Sequence, residues 1–285
     1  MFLLQVLLNG ISLGIIYAIV ALGMTVIFGV MGILNFAHAA MLMLGGFCVY
    51  YSTVGLFHFS YFIGLIISFT LTGLFGVFYE RVLLRRFNKD ILVCLIITLA
   101  LTKILQGSAQ SIFGLEPKAI QPIFGTTLQL SGVYISSDRL FIVIAGMIFI
   151  LATLFLIDYT KIGTAIRAVS IDSEASLLQG VRIGRIYSFG MFITCGLGGI
   201  AGTLISLITP IDAYMGESHI INCFNVMILG GLGSIPGAIL AGLLLGTLES
   251  FITSYFGTIF AGIVNFSILV VVLIVRPRGL LGEKI

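Results

Sequence analysis

The longest charge-free stretch of the chain begins with FLLQVLLNGISLGIIYAIVALGMTVIFGV at residues 2–30 and continues to residue 79 without one Asp, Glu, Lys or Arg. A helix of ~20 apolar residues crosses the hydrocarbon core of a bilayer. The stretch is therefore long enough for more than one crossing. Because no basic residue precedes its apolar part, we expect it to begin with the first span of the mature protein rather than with a cleaved signal peptide.

Composition extends this prediction to the whole chain. Of its 285 residues 59% are hydrophobic and 9% are charged, whereas a soluble domain has about 25% charged residues. These values exclude a soluble fold and a disordered chain. Further apolar runs, which predict crossings at 91–112, 140–158 and 186–208 among others, are continuous rather than alternating, and this excludes a transmembrane β-barrel. The sequence predicts an all-α, polytopic membrane protein with eight or nine transmembrane helices and a single transmembrane domain over residues 1–285.

Three basic clusters predict the orientation of the chain, since cytoplasmic loops carry an excess of Lys and Arg. The clusters are Arg81, Arg85, Arg86 and Lys89; Lys161, Arg167, Arg182 and Arg185; and Arg276, Arg278 and Lys284. We expect a cytoplasmic loop at 159–185, a cytoplasmic C-terminus and an external loop at 113–139. None of the clusters is dense or aromatic enough to indicate binding to nucleic acid.

Two glycine-rich interruptions indicate an internal repeat. The segments GVMGILNFAHAA at 29–40 and GGLGSIPGAILA at 230–241 align, and each is followed by two apolar spans and a basic cluster. The apolar segment 219–232 is also too short to span and predicts a half-span helix. We expect two parallel repeats with broken helices at 31–38 and 232–237, near the membrane midplane and beside a transport pathway.

Five residues in these interruptions are candidates for the translocation pathway: Asn35, Phe36, His38, Gly233 and Pro236. Phe36 would line the passage of an apolar substrate. Asn35 and His38 would satisfy backbone groups freed by the first break; the alternative is that they give the pathway a polar lining. His38 has no ligand partner at helical spacing, so no metal site is predicted.

Two charges fall inside predicted spans. Lys103 shares a helical face with Gln106 and Gln110, and Glu249 follows the run LLLGTL. Because intramembrane charges usually pair or face water, Lys103 and Glu249 could bind each other as interhelical contacts, contact the substrate, or couple transport to an ion.

The cytoplasmic loop predicts a short helix. In KIGTAIRAVSIDSEASLLQGVRIGR, at 161–185, Asp172 can cap the helix, Glu174 favours its positive end and Gly180 can terminate it. Ala175 and Leu178 give the helix a small apolar face. Such a helix lies on the membrane surface or docks into the groove of a partner.

The remaining motifs are structural. TTLQL and VYIS flank Ser131-Gly132 in the external loop and predict a β-hairpin. Glycines four residues apart predict close helix packing; these pairs are Gly10 and Gly14, Gly198 and Gly202, and Gly242 and Gly246. The sequence has no P-loop motif and no catalytic constellation, so we expect neither an enzyme nor a bound cofactor.

Four short motifs occur together: Glu174-Ala175-Ser176 with Gly180, NFAHA at 35–39, GGLGSIPGAILAG at 230–242 and RPRGLLG at 276–282. The first resembles the loop by which permeases of ABC importers contact their ATPases. The other three resemble motifs of the branched-chain amino acid permeases, and the likeness covers essentially the whole chain. Ala39 replaces a glycine of the family motif, and Lys103 stands where a neutral residue is expected.

The resemblance implies a non-catalytic subunit of an importer for leucine, isoleucine and valine in a bacterial inner membrane. It implies four partners: a second, homologous permease, two cytoplasmic P-loop ATPases that bind ATP and Mg²⁺, and an external substrate-binding protein. Urea, short amides or other amino acids are alternative substrates on the same scaffold. An ion-coupled secondary transporter is the alternative from another class.

Overall fold

The computed structural model describes residues 2–55, 57–87, 90–130, 133–276 and 279–282. Within them the helices are α1 Phe2–Met31, α2 His38–Tyr50, α3 Tyr61–Tyr79, α4 Ile91–Phe113, α5 Ser137–Tyr159, α6 Lys161–Ile171, α7 Ser173–Leu178, α8 Ile183–Ile205, α9 Met215–Gly230, α10 Ile235–Phe256 and α11 Thr258–Val275. Single π-helical turns extend α2 over Tyr51–Gly55 and α3 over Glu80–Leu84. The strands β1 Thr127–Leu130 and β2 Val133–Ser136 form an antiparallel hairpin.

The all-α membrane architecture is confirmed. Among the described residues, seven helices are long and apolar enough to cross a membrane: α1, α3 with its π turn, α4, α5, α8, α10 and α11. The shorter α2 and α9, of 13 and 16 residues, lie between them in sequence. The described residues thus hold seven helices of spanning length against the eight or nine predicted, and α9 is the predicted short helix. The turn Ser131-Gly132 and the basic residues Lys89, Arg278 and Lys284 lie outside the described residues.

The chain repeats the order helix, break, helix, helix. It occurs once in α1, α2 and α3 and again in α9, α10 and α11, with breaks at 32–37 and 231–234. The side-chain amide of Gln5 donates to the Tyr134 carbonyl at 2.6 Å, which places the start of α1 beside the hairpin. At the same end, the ring of Phe2 meets that of Tyr255 near the end of α10. The two helices α1 and α10 are thus antiparallel. A parallel repeat requires this arrangement, because α10 corresponds to α2, the helix that turns back from α1.

Glycines allow α1 and α10 to pack at very short range. Gly10 and Gly14 of α1 face Gly242 and Gly246 of α10, so two of the predicted glycine pairs pack against each other. A Cβ atom on Gly10 would lie 2.6 Å from the Cα atom of Thr247. Without a hydrophobic driving force inside the bilayer, such close van der Waals contact is what holds helices together.

A charged cluster joins α3 to α8 at the end of the bundle expected to face the cytoplasm. The buried carboxylate of Glu80 accepts two hydrogen bonds of 2.9 Å from the Arg85 guanidinium and one of 2.9 Å from the Ser188 hydroxyl. Arg85 also donates to the Gly184 carbonyl at 2.8 Å. Bidentate arginine–carboxylate bonds are strong and directional, so they fix the start of α8 against the end of α3.

Candidate functional site

The first break is held by bonds between side chains. The Asn35 amide donates to the Tyr79 hydroxyl of α3 at 2.7 Å, and Asn35 is 1% exposed. Two carbonyls of the break accept from backbone groups at the start of α2, because His38 N donates to the Asn35 carbonyl and Ala39 N to the Phe36 carbonyl. The prediction that the Asn35 side chain serves freed backbone groups is therefore wrong: it ties the break to α3.

His38 starts α2 inside the helix bundle and is fully buried. Its Cε1 atom would lie 3.1 Å from a Cβ on Gly23 of α1 and 3.0 Å from one on Gly198 of α8. Neither ring nitrogen has a hydrogen-bond partner in the described part of the chain, although the ring lies near the Val20 carbonyl. The predicted backbone role of His38 is therefore wrong as well. The described residues contain no cluster of His, Cys, Asp or Glu that could hold a metal ion.

Phe36 lies on an accessible surface. Its ring packs on that of Phe224 in α9 with 4.6 Å between centroids, and its backbone N–H lies 3.4 Å from the Thr98 hydroxyl of α4. Phe224, Ile221 and Glu217 follow one another along one side of α9, and Ile221 is 57% exposed. We name the surface made by Phe36, Lys103, Glu217, Ile221 and Phe224 the α9 face.

The two intramembrane charges do not pair with each other, so that alternative is wrong. The Lys103 ammonium binds the carboxylate of Glu217, at the start of α9. The two side chains are 63% and 40% exposed, whereas Gln106 turns into the core. Because an exposed ion pair is costly in hydrocarbon, the α9 face must meet water or another protein. The order of helices within the bundle cannot be read from composition, and so the sequence did not reveal Glu217 as the partner.

Glu249 instead belongs to a cluster of neutral polar side chains from four helices. Its carboxylate accepts hydrogen bonds from the Tyr17 hydroxyl of α1 at 3.0 Å, the Asn222 amide of α9 at 3.0 Å and the Asn265 amide of α11 at 2.8 Å. We call these four residues the Glu249 cluster. Asn222 and Asn265 interrupt apolar runs in the sequence, and this was the signal that could have found them.

The second break lies elsewhere than predicted. Leu280 N donates to the Leu229 carbonyl at 2.7 Å and Leu281 N to the Gly230 carbonyl at 3.1 Å. The break is thus packed against residues that follow the last helix, at the end of the bundle rather than at its midplane. Gly233, with φ +88°, and Pro236 are exposed at this end.

The loop at 159–185, which is expected to be cytoplasmic, has the predicted local structure. The Asp172 carboxylate accepts from the backbone N–H groups of Glu174 and Ala175, both at 2.9 Å, and so caps α7. Gly180 follows α7 with φ +86°. Leu178 is 89% exposed, as predicted for a docking face. Two further apolar residues, which the sequence did not single out, are also exposed: Ile171 at 86% and Leu177 at 59%.

Relatives cover nearly all of the chain. It is 31% identical to the high-affinity branched-chain amino acid transport system permease protein BraD of Pseudomonas aeruginosa over 98% of this chain and 96% of that protein. It is 29% identical to LivH of Salmonella typhimurium, of the same description, over 99% and 96%. The corresponding LivM protein of Escherichia coli is 24% identical over 95% of this chain and 68% of its own length.

A solved structure shares the fold. A chain of the structure titled PsaBC from Streptococcus pneumoniae in complex with Fab superposes with a TM-score of 0.51 over 95% of this chain and 91% of its own, at 16% identity. Residues 6–275 match the family described as the permease component of the branched-chain amino acid transport system. The chain is therefore a multi-pass membrane protein that belongs to the branched-chain amino acid permease family.

Proposed function

We propose that the chain is the membrane subunit of an ATP-driven importer of leucine, isoleucine and valine. The observation that carries this proposal is α7, a capped cytoplasmic helix that exposes Leu177 and Leu178. An exposed apolar surface on a short helix between two spans suits docking into a groove of a partner. The names of the relatives supply the substrate class.

The packing of α8 suggests how docking would reach the membrane. Movement of α7 would pull on α8, which starts five residues after α7 ends. Gly198 and Gly202 bring α8 against Met41 and Leu42 of α2, directly after the first break. Closure of the ATPases would thus move the break and Phe36 together.

The remaining assignments follow from this proposal. Two cytoplasmic P-loop ATPases would bind ATP and Mg²⁺, so that this chain is not itself an enzyme and holds no cofactor. A second permease would cover the α9 face and enclose the pathway between the two subunits, with Phe36 along it. An external binding protein would dock at the loop 113–139. The protein would lie in a bacterial inner membrane with its C-terminus in the cytoplasm.

Reconstitution tests the proposal. We expect liposomes that contain this chain, the second permease and the two ATPases to take up leucine only with ATP inside and the binding protein outside. Uptake by the purified chain alone, driven by an ion gradient, would favour the secondary transporter. Uptake of urea or short amides, with leucine excluded, would overturn the substrate assignment.

The topology can be tested with single cysteines. The native residues Cys48, Cys94, Cys195 and Cys223 are first replaced by serine. Glu116→Cys should then react with an impermeant maleimide added outside, because the loop that holds it is expected to be external, and Ser170→Cys should react only after the membrane is opened. Both positions are exposed in the structure. Labelling of both cysteines in sealed cells would contradict the orientation.

Gly180→Val should reduce transport several-fold while the protein still inserts. The φ of +86° strains any β-branched residue, and no atom lies within 4 Å of an added Cβ. The strain therefore acts on the backbone that ends α7. Gln179→Val is the matched control, because Gln179 has an ordinary φ of −83°. Equal leucine uptake by the two variants would show that the left-handed turn has no part in coupling.

A further inference from the structure

The Glu249 cluster places a carboxylate among neutral donors in a membrane-spanning segment. Both carboxylate oxygens accept from the Tyr17 hydroxyl, at 3.1 and 3.0 Å. The amides of Asn222 and Asn265 both donate to Oε2, at 3.0 and 2.8 Å. Oε1 is thus left with a single donor, which it shares with Oε2, so it can accept further hydrogen bonds.

No cation balances this carboxylate within the described part of the chain. The ion pairs found there are Glu80 with Arg85, Glu217 with Lys103 and Asp158 with Arg167. A carboxylate inside a membrane is costly and usually pairs or faces a water-filled cavity. The position therefore favours a cation that the chain itself does not provide.

Two amide oxygens on α9 and α11, one of them on Asn265 beside Glu249, lack a partner in the described part of the chain. Asn265 is 2% exposed, and its Oδ1 atom accepts no hydrogen bond. Asn225, also 2% exposed, donates to the Asn265 carbonyl at 3.3 Å, and its own Oδ1 atom is likewise unpartnered. Buried acceptors are almost always satisfied, so these atoms point to a donor that is absent from the isolated chain.

Interhelical contact alone does not account for the charge. A glutamine in place of Glu249 would keep the shape of the side chain and one acceptor oxygen, at a smaller desolvation cost. A carboxylate accepts stronger hydrogen bonds from Tyr17, Asn222 and Asn265 than an amide would, and unlike an amide it also attracts a positively charged partner. Glu249 and Asn222 are partly exposed, so such a partner can reach them from outside the subunit.

We propose that the Glu249 cluster binds the α-ammonium group of the amino acid during translocation. The ammonium group has three donors; Glu249 Oε1 and the unpartnered Oδ1 atom of Asn265, whose amide already donates to Glu249, offer acceptors. Ile221, which is exposed next to Asn222, offers apolar surface to a branched side chain. The site rests on the proposed import function and assigns recognition of the amine to the permease.

The site can be tested by measuring the binding of weak ligands to the assembled complex with saturation-transfer NMR. The binding protein is left out of the sample. The probes are leucine, leucinol, which keeps the amine but has no carboxylate, and 4-methylpentanoate, which keeps the carboxylate but has no amine. We expect the wild-type complex to bind leucine and leucinol but not 4-methylpentanoate. Equal binding of 4-methylpentanoate, or displacement of leucinol by sodium or potassium ions, would overturn the proposal.

Glu249→Gln should weaken the binding of leucinol at least tenfold without loss of assembly. Glu116→Gln removes the same charge from the external loop and is the control. Unchanged leucinol binding by Glu249→Gln would show that the Glu249 cluster is only an interhelical contact. If Glu249→Gln fails to assemble, the comparison of the three probes on the wild-type complex and the variant Asn265→Ala decide the question. Asn265→Ala removes an acceptor and should therefore also weaken the binding of leucinol.

The two proposals can fail separately. If the wild-type assembly transports leucine but binds 4-methylpentanoate as well as leucinol, the ammonium site is wrong and the import function stands. If the wild-type assembly does not transport leucine at all, the proposed function is wrong.

Discussion

Gly242→Leu is expected to abolish the folded state of the chain. A Cβ atom on Gly242 would lie 2.7 Å from the backbone nitrogen and 2.8 Å from the Cα atom of Ala18 in α1. Backbone atoms cannot rotate away as a side chain can, so α10 and α1 must separate. Overpacking usually costs about 1–3 kcal/mol, and here it also opens the glycine contacts along α1. Fluorescence-detected size exclusion of the detergent-solubilised protein should show aggregate in place of a single peak.

Gly262→Leu is the matched control. Gly262 lies in α11, another membrane helix, and has no atom within 4 Å of an added Cβ. The same substitution there adds the same apolar volume without a clash and should leave the elution profile unchanged. Equal loss of folded protein in both variants would show that leucine acts through helix propensity or insertion, and that the α1–α10 contact does not decide stability.

The spans could be predicted from the sequence because hydrocarbon imposes a simple condition on them. Each must be long, apolar and free of charge over its whole length. The predicted crossings at 91–112, 140–158 and 186–208 correspond to Ile91–Phe113, Ser137–Tyr159 and Ile183–Ile205. The ends differ by at most three residues, because the basic and polar residues that flank each run also end the helix.

Features that depend on local chemistry could also be predicted from the sequence. The Asp172 cap, the left-handed Gly180 and the hairpin each follow from a few neighbouring residues. Contacts between helices that are distant in sequence could not be predicted. Lys103 could have met Glu249 by composition alone, yet the bundle places Glu217 beside it. Sequence periodicity identifies the face of a helix and leaves its neighbour undetermined, so the partners of Asn35, Lys103 and Glu249 emerged only in the folded chain.

The position of the second break was mispredicted for a related reason. Alignment of the glycine-rich segments implies equal depth, but α9 has 16 residues where α1 has 30. Depth also depends on how a helix is packed, and the backbone bonds from Leu280 and Leu281 hold the end of α9 at the end of the bundle. The position of a break therefore follows from the packing of its helices and cannot be read from the alignment of the repeats.

Leu178→Asp is expected to release the ATPase subunits from the membrane complex. The side chain is 89% exposed and therefore contributes little to the fold of this chain. In the proposed complex it would fill an apolar pocket of the ATPase, where a carboxylate would be buried without a partner. A charge left buried without a partner costs about 3–5 kcal/mol, so we expect at least a tenfold loss of affinity. Co-purification of the ATPases with the tagged permease measures it.

Leu115→Asp provides the comparison for this release. Leu115 is 76% exposed on the loop that is expected to be external, so the substitution adds the same charge at a similarly exposed leucine that should lie across the membrane from α7. We expect this variant to retain its ATPases, because no cytoplasmic contact changes. If Leu178→Asp also retained them, and leucine uptake persisted, α7 would be a surface helix at the membrane. The ATPases would then have to bind another cytoplasmic segment, for which the turn after α3 and the residues after α11 are the remaining candidates.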